Sequence, residues 1–175
     1  MAGEDLGSNV SKEYRDRFVK GAAIGEVGAA IGSGIGGYVG DTFFRGNRFA
    51  RVLTGGICGD YLVGSLFDGI YWYNANREAY KGFSGKLRFI KDEVGFHARS
   101  IPATIASYAA YAPIGAALLA LGAPAVAATV VASVLSSAIY ILGSFFLNKG
   151  YLRKVEEEHA SSKAKYSSPA PSGSS

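Results

Sequence analysis

No charged side chain interrupts residues 124–147, which read PAVAATVVASVLSSAIYILGSFFL. About 20 apolar residues suffice for a helix to cross the hydrocarbon core of a bilayer, so this stretch predicts a membrane-spanning helix. Three further apolar stretches precede it, at 18–39, 52–73 and 101–121. A small soluble core cannot bury that much apolar helix. The sequence therefore predicts an all-α integral membrane protein, a four-helix bundle made of two helical hairpins.

The basic residues indicate an orientation. Apart from Arg45, Arg48 and Arg51, the 18 lysines and arginines lie up to Lys20, between 74 and 100, or after 148. Because cytoplasmic segments of membrane proteins are enriched in Lys and Arg, we expect both termini and the 74–100 loop in the cytoplasm, with a multi-pass chain in the inner or plasma membrane. The net charge of +4 comes from these flanking cations, which suit anionic lipid headgroups, so the bilayer and not nucleic acid is the expected partner.

The polar segments divide the chain around this membrane domain of residues 18–148. Residues 1–17 form a polar N-terminal segment, and 149–175 form a tail that is basic at first and expected to be disordered from Ala160. In the 74–100 loop, apolar and charged residues alternate in a way that suits an interfacial helix, with a solvated connector as the equal alternative. Gly122 and Pro124 predict a tight turn that makes spans three and four antiparallel neighbours.

Glycine is concentrated in the first two spans. Lipid gives apolar helices no reason to associate, so stripes of small residues that allow close backbone approach are a common source of packing energy. We expect the stripe to pack inside one monomer, with formation of a homo-oligomer as the alternative. The residues expected in helix packing are Gly21, Gly25, Gly28, Gly32, Gly36 and Gly40 in span one, and Gly56 and Gly64 in span two.

Three carboxylates within the spans are the strongest candidates for a functional role. Glu26 lies in span one, and Asp60 and Asp68 lie two turns apart in span two. Burying a charged group at the centre of a membrane helix costs at least about 2.5 kcal/mol, so such residues usually line water, meet a partner or are neutral. We interpret Glu26 and Asp60 as proton-titrating or amine-recognising groups. Asp68 has the alternative of simple hydration near the inner interface.

Span three adds Tyr108, Tyr111 and Pro113 to the predicted polar path. A proline inside a helix frees a backbone carbonyl that a polar solute can use, and the tyrosines can supply hydroxyls, although aromatic packing is the alternative. No nucleophile with a base, nucleotide loop or metal-ligand pair is recognisable, so we expect neither an enzyme nor a metal or cofactor. The single Cys58 excludes an internal disulfide and suits a small packing residue. His97 and His159 are interpreted as isolated polar residues.

Several short elements between 51 and 154 recur in a known family. They are Arg51 before span two, Gly69-Ile70-Tyr71, the tyrosine-containing stretch that ends at Pro113, and Phe146-Leu147-Asn148 before Arg153-Lys154. With them the chain resembles the small four-helix L-alanine exporters of the inner membrane. It departs from that family at Phe67-Asp68-Gly69, where the family has a Pro-Tyr-Gly element, and at Asn148, where it has Asp.

The resemblance implies a transporter that exports L-alanine or other small amino acids. Two alternatives stay open. One is a non-transporting structural protein whose glycine stripe drives self-assembly or membrane shaping. The other is translocation of lipid-linked sugars, since the chain is similar in size and hydropathy to four-helix proteins implicated in that process.

Overall fold

The computed structural model describes residues 10–167, without the side chains of 48–49, 57–58 and 165–167. The side chain of Cys58 therefore lies outside the described residues. Every regular element in the described range is helical. The elements are α1 (Lys12–Phe43), α2 (Arg48–Thr54), a π-helical segment (Gly55–Tyr61), α3 (Leu62–Ala75), α4 (Gly82–Ala120) and α5 (Ala125–Ser167).

Three of these helices are long and apolar enough to cross a membrane. They are α1, α4 and α5, the last over Ala125–Ala164. The predicted second span, 52–73, differs from the other three because it is split among α2, the π-helical segment and α3, none of which reaches the required length alone. The split coincides with a run of glycines that includes Gly55, Gly56 and Gly59.

The glycine face of α1 packs against these three consecutive segments of the same chain. A Cβ atom at Gly32 would overlap the backbone of Gly59. Farther along, a Cβ at Gly25 would lie 3.3 Å from the Gly64 carbonyl oxygen, and one at Gly40 would lie 2.9 Å from the Arg51 Cα. Backbone contact of this kind is possible only without side chains, so the α1 stripe is buried inside one chain.

Gly122 ends α4 as the sequence predicts. It has a positive φ of 89°, its N–H bonds the Leu119 carbonyl at 3.2 Å, and the Ala123 N–H bonds the Leu118 carbonyl at 3.0 Å. This pair of bonds is the Schellman motif, which satisfies the last carbonyls of a helix. Pro124 lies one residue before α5, and its carbonyl accepts from the Ala128 N–H at 2.9 Å.

Two of the expected polar segments are helical in the structure. Most of the 74–100 loop is the first half of α4, and the tail continues as α5 through Ser167, where we expected disorder from Ala160. At 1.5 Å per residue the 39 residues of α4 extend about 58 Å, far beyond the roughly 30 Å of a hydrocarbon core. The first half of α4 and the second half of α5 pack on each other and on the start of α1. The large buried side chains at this end of the bundle form what we call the end cluster: Tyr14, Phe18, Trp72, Tyr80, Phe96, Leu152 and Val155.

A network of buried side-chain hydrogen bonds runs through the end cluster. His159 and Asp92 are both fully buried and lie 3.0 Å apart, Nε2 to Oδ2. The Tyr14 hydroxyl lies 2.9 Å from His159 Nδ1, the Tyr80 hydroxyl donates to Asp92 at 3.0 Å, and the Trp72 indole donates to Tyr80 at 2.7 Å. Burial and the neighbouring Asp92 raise the pKa of Tyr80 far above its usual value, so its hydroxyl stays a donor. The expectation that His159 is isolated was wrong.

Candidate functional site: a polar cavity within the bundle

A small polar cavity lies between α1, the π-helical segment with α3, α4 and α5. Its volume is about 40 Å³. A water molecule needs roughly 10–15 Å³ of the space open to its centre, so the cavity has room for a few waters. Carboxylates and hydroxyls provide the polar part of its wall: Glu26, Asp60, Tyr61, Ser65, Asp68, Thr104, Ser107, Tyr108 and Tyr140.

Glycines bring the three predicted acids to this one place. Gly25 lies beside Glu26 in α1, and Gly64 lies midway between Asp60 and Asp68. A Cβ at Gly64 would be only 3.0 Å from the Gly25 carbonyl oxygen. Because both positions lack side chains, the two segments approach closely enough for acids from each of them to line the same cavity.

Asp60 is held by a hydroxyl from α5. The Ser133 Oγ donates to Asp60 Oδ1 at 3.0 Å. Ser133 is not among the predicted site residues, since serines are frequent in membrane helices and nothing in the sequence pairs this one with span two. In α4, Tyr108 lines the cavity, and its hydroxyl lies 3.5 Å from the Gly56 carbonyl oxygen.

Glu26 and Asp68 differ from Asp60 in their partners. Among residues 10–167, neither carboxylate has a hydrogen bond or an ion pair. His97 of α4 lies beside the cavity, with its ring centroid 5.8 Å from that of Tyr61, which lines it. His97 is itself within 3.6 Å of Glu93, Nε2 to Oε2, so it is not the isolated residue that the sequence suggested. Three acids therefore line the cavity. The neighbouring His97 faces a fourth acid, Glu93.

Tyr111 and Pro113 are not among the cavity-lining residues. Tyr111 is 1% exposed and packs in a neighbouring apolar cluster with Val52 and Leu119. A Cβ at Gly56 would lie 3.0 Å from its ring, which makes Gly56 a packing site for α4. Tyr111 lies one helical turn beyond Tyr108 in α4, which places its ring in the next layer of the bundle and not at the cavity.

No family model, curated protein or solved structure matches this chain. Among the described residues, no group of three His, Cys, Asp or Glu side chains is placed to hold a metal ion. The cavity offers carboxylates next to hydroxyls, and that combination binds a proton or an ammonium group.

Proposed function

We propose that this protein is a membrane transporter that moves a small amine-bearing solute in exchange for protons. One observation carries the proposal: Glu26, Asp60 and Asp68, from two separate segments, line one cavity inside a bundle of apolar helices. Acids at such depth are costly unless they meet water, a cation or a proton. The resemblance described above makes L-alanine and other small amino acids the first solutes to consider.

The proposed chemistry uses the acids as a shared site for proton and amine. An ionised Asp60 or Glu26 attracts an ammonium group, and protonation of the same carboxylate releases it. Hydroxyls such as those of Thr104 and Tyr108 can donate to the carboxylate of an amino acid. The cavity wall contains no Lys, Arg or His, so the amine is the part of the solute that it recognises most strongly.

The proposal includes four passes, with both termini on the cytoplasmic side of the inner or plasma membrane. Although α2, the π-helical segment and α3 are short individually, together they run antiparallel to α1 over most of its length, from Gly21 beside Asp68 to Gly40 beside Arg51. Large apolar side chains of α3 point outward, as Leu62 and Leu66 do, which suits contact with lipid. The basic residues then favour the cytoplasm for the 74–100 region.

The two alternatives receive less support. Self-assembly through the α1 glycine stripe would need that face to be free, but it is covered by residues 48–75 of the same chain. Translocation of a lipid-linked sugar has no counterpart in the cavity, whose carboxylates suit an amine.

Transport in proteoliposomes with an imposed pH gradient tests the function. We expect the wild type to move labelled alanine or methylammonium against the proton gradient. Asp60→Asn keeps the size of the side chain but cannot titrate, so it should insert normally and lose the pH-dependent flux, as should Glu26→Gln. Asp41→Asn, at an exposed acid outside the cavity, is the matched control. Unchanged flux in both cavity variants would show that the acids are packing residues.

Cysteine accessibility tests the topology. In a Cys58→Ser background, single cysteines at Gly46, Glu78 and Ser161, all exposed, can be labelled with an impermeant maleimide. Positions 78 and 161 should react from the cytoplasmic side and position 46 from the opposite side. Labelling of 46 and 78 from the same side would mean that residues 48–75 do not cross the bilayer.

A further inference from the structure

An apolar groove runs along the outside of the bundle between α1 and α5. Its volume is about 930 Å³, and it is open along its length. The first half of α5 lies antiparallel to α1 here, since a Cβ at Gly37 would lie 3.1 Å from the Ala125 carbonyl oxygen and one at Gly34 would lie 3.4 Å from the Val130 side chain. The groove walls are formed mainly by branched aliphatic side chains: Val27, Ile31 and Ile35 from α1, and Val126, Val130 and Val134 from α5.

Glu26 belongs to both the groove and the polar cavity. It lies near one end of the groove, and Tyr38 of α1 lies at the other. Twelve residues separate them, which corresponds to about 18 Å of helix. The groove is thus an apolar surface that leads along the bundle to the Glu26 carboxylate. Glu26 also lines the cavity.

The lone carboxylate indicates which occupant fits. The other polar side chains of the groove wall, Ser137 and Tyr38, are neutral, so an occupant has to bring its own cation to Glu26. A second copy of this chain is poorly suited, because residues 101–147 contain no Lys, Arg or His. A phospholipid acyl chain would fill the groove but leave the carboxylate unpaired. An amine with an apolar tail satisfies both parts.

We propose that the transported amine is amphiphilic and enters from the bilayer through this groove. The tail lies between α1 and α5, and the ammonium group binds Glu26, from which it passes into the cavity. This inference rests on the proposed transport of amines, gives their route, and makes amphiphilic amines, in place of small amino acids, the expected solutes. Burial of the tail adds binding free energy in proportion to the apolar area covered, so a long-chain amine should bind more tightly than a short one.

Binding to the full chain in nanodiscs tests the inference, with empty nanodiscs as the background for partition into lipid. The probes are dodecylammonium, methylammonium, and dodecanol, which has the same tail without the amine. We expect dodecylammonium to bind at least tenfold more tightly than either of the others. Glu26→Gln should abolish its advantage over dodecanol. Equal binding of the two ammonium ions by the wild type would overturn the inference without any variant.

Filling the groove provides the second arm. Ala30→Phe places a ring in the groove and should remove the chain-length preference, whereas Ala109→Phe, at an exposed alanine of α4, should not. If Ala30→Phe instead dissociates an oligomer, the groove is an interface between copies and the inference is wrong. Proteoliposomes separate the two proposals: flux of methylammonium without preference for the longer amine overturns only this inference, and flux of neither amine overturns both.

Discussion

Asp92 and the three acids of the cavity differ in what surrounds them. Asp92 lies beside the end cluster, is fully buried, and its Oδ2 accepts from Tyr80 and faces His159. Of the cavity acids, Asp60 has one serine donor, and Glu26 and Asp68 have no partner among the described residues. A carboxylate that is enclosed and paired contributes to structure, whereas one that faces a cavity unpaired remains available to a proton or a ligand.

The two regions are also held together differently. The end cluster is packed by large rings, with Trp72 against Phe96 at 5.1 Å between centroids and Tyr80 against His159 at 4.9 Å. The cavity region is held by backbone contact between glycines, and this close approach brings Glu26, Asp60 and Asp68 to the wall of one cavity. Packing by rings excludes water from around Asp92, whereas packing by glycine places Glu26 beside a polar cavity.

The largest expected effect comes from a substitution that disrupts the packing of the cavity region and leaves the end cluster intact. Gly32→Leu would force side-chain atoms into the Gly59 backbone. Overpacking typically lowers the free energy of unfolding by about 1–3 kcal/mol, and by more when the neighbour cannot move. Thermal unfolding in detergent should show a large loss of stability. Trp72, the single tryptophan, reports on the end cluster by its fluorescence. We expect the cavity region to open before the Trp72 signal changes.

Gly150→Leu is the matched control for that substitution. Gly150 is also helical, and a Cβ there would have nothing within 4 Å, so leucine should be neutral or slightly stabilising. If Gly32→Leu left the unfolding temperature unchanged as well, α1 and residues 48–75 would not be in backbone contact.

The second prediction sharpens the contrast between the acids by making the same change in each region. Asp92→Asn removes the charge that faces His159 and should destabilise the protein by about 1.5–3 kcal/mol, the range for hydrogen bonds to charged groups. Asp68→Asn removes a carboxylate without a partner and should leave stability unchanged or raise it. Chemical denaturation in mixed micelles measures both. Equal destabilisation by the two variants would remove the distinction between structural and functional acids.

Sequence alone located the apolar stretches of α1, α4 and α5 and the three acids that line the cavity, because both depend on local pattern. Charge-free stretches identify apolar helices, and Glu26, Asp60 and Asp68 are conspicuous because carboxylates there are costly. The end cluster was missed because it depends on tertiary contacts: Tyr14 and His159 are 145 residues apart. The π-helical segment was not predicted, and neither were the layers of the bundle in which Tyr111 and Ser133 lie. Rotation about a helix axis decides which layer a side chain reaches, and tertiary contacts fix that rotation.

The smallest expected effect concerns a hydroxyl that joins α5 to α1 away from both Asp92 and the cavity. The Thr129 Oγ1 is fully buried and donates to the Ser33 carbonyl at 2.9 Å, but it also lies 3.0 Å from the Ala125 carbonyl within its own helix. Hydrogen bonds between membrane helices contribute about 0.6 kcal/mol on average. Thr129→Val keeps the shape of the side chain and should cost about that much, measured by denaturation in micelles.

Ser137→Ala is the comparison for Thr129→Val, because Ser137 is only half-buried and donates to the Val134 carbonyl of its own helix. It should have no measurable effect on stability. A loss of 2 kcal/mol or more in Thr129→Val would contradict the prediction, because this one hydrogen bond would then contribute far more than is usual between membrane helices, and α1 and α5 would be held by more than apolar contacts.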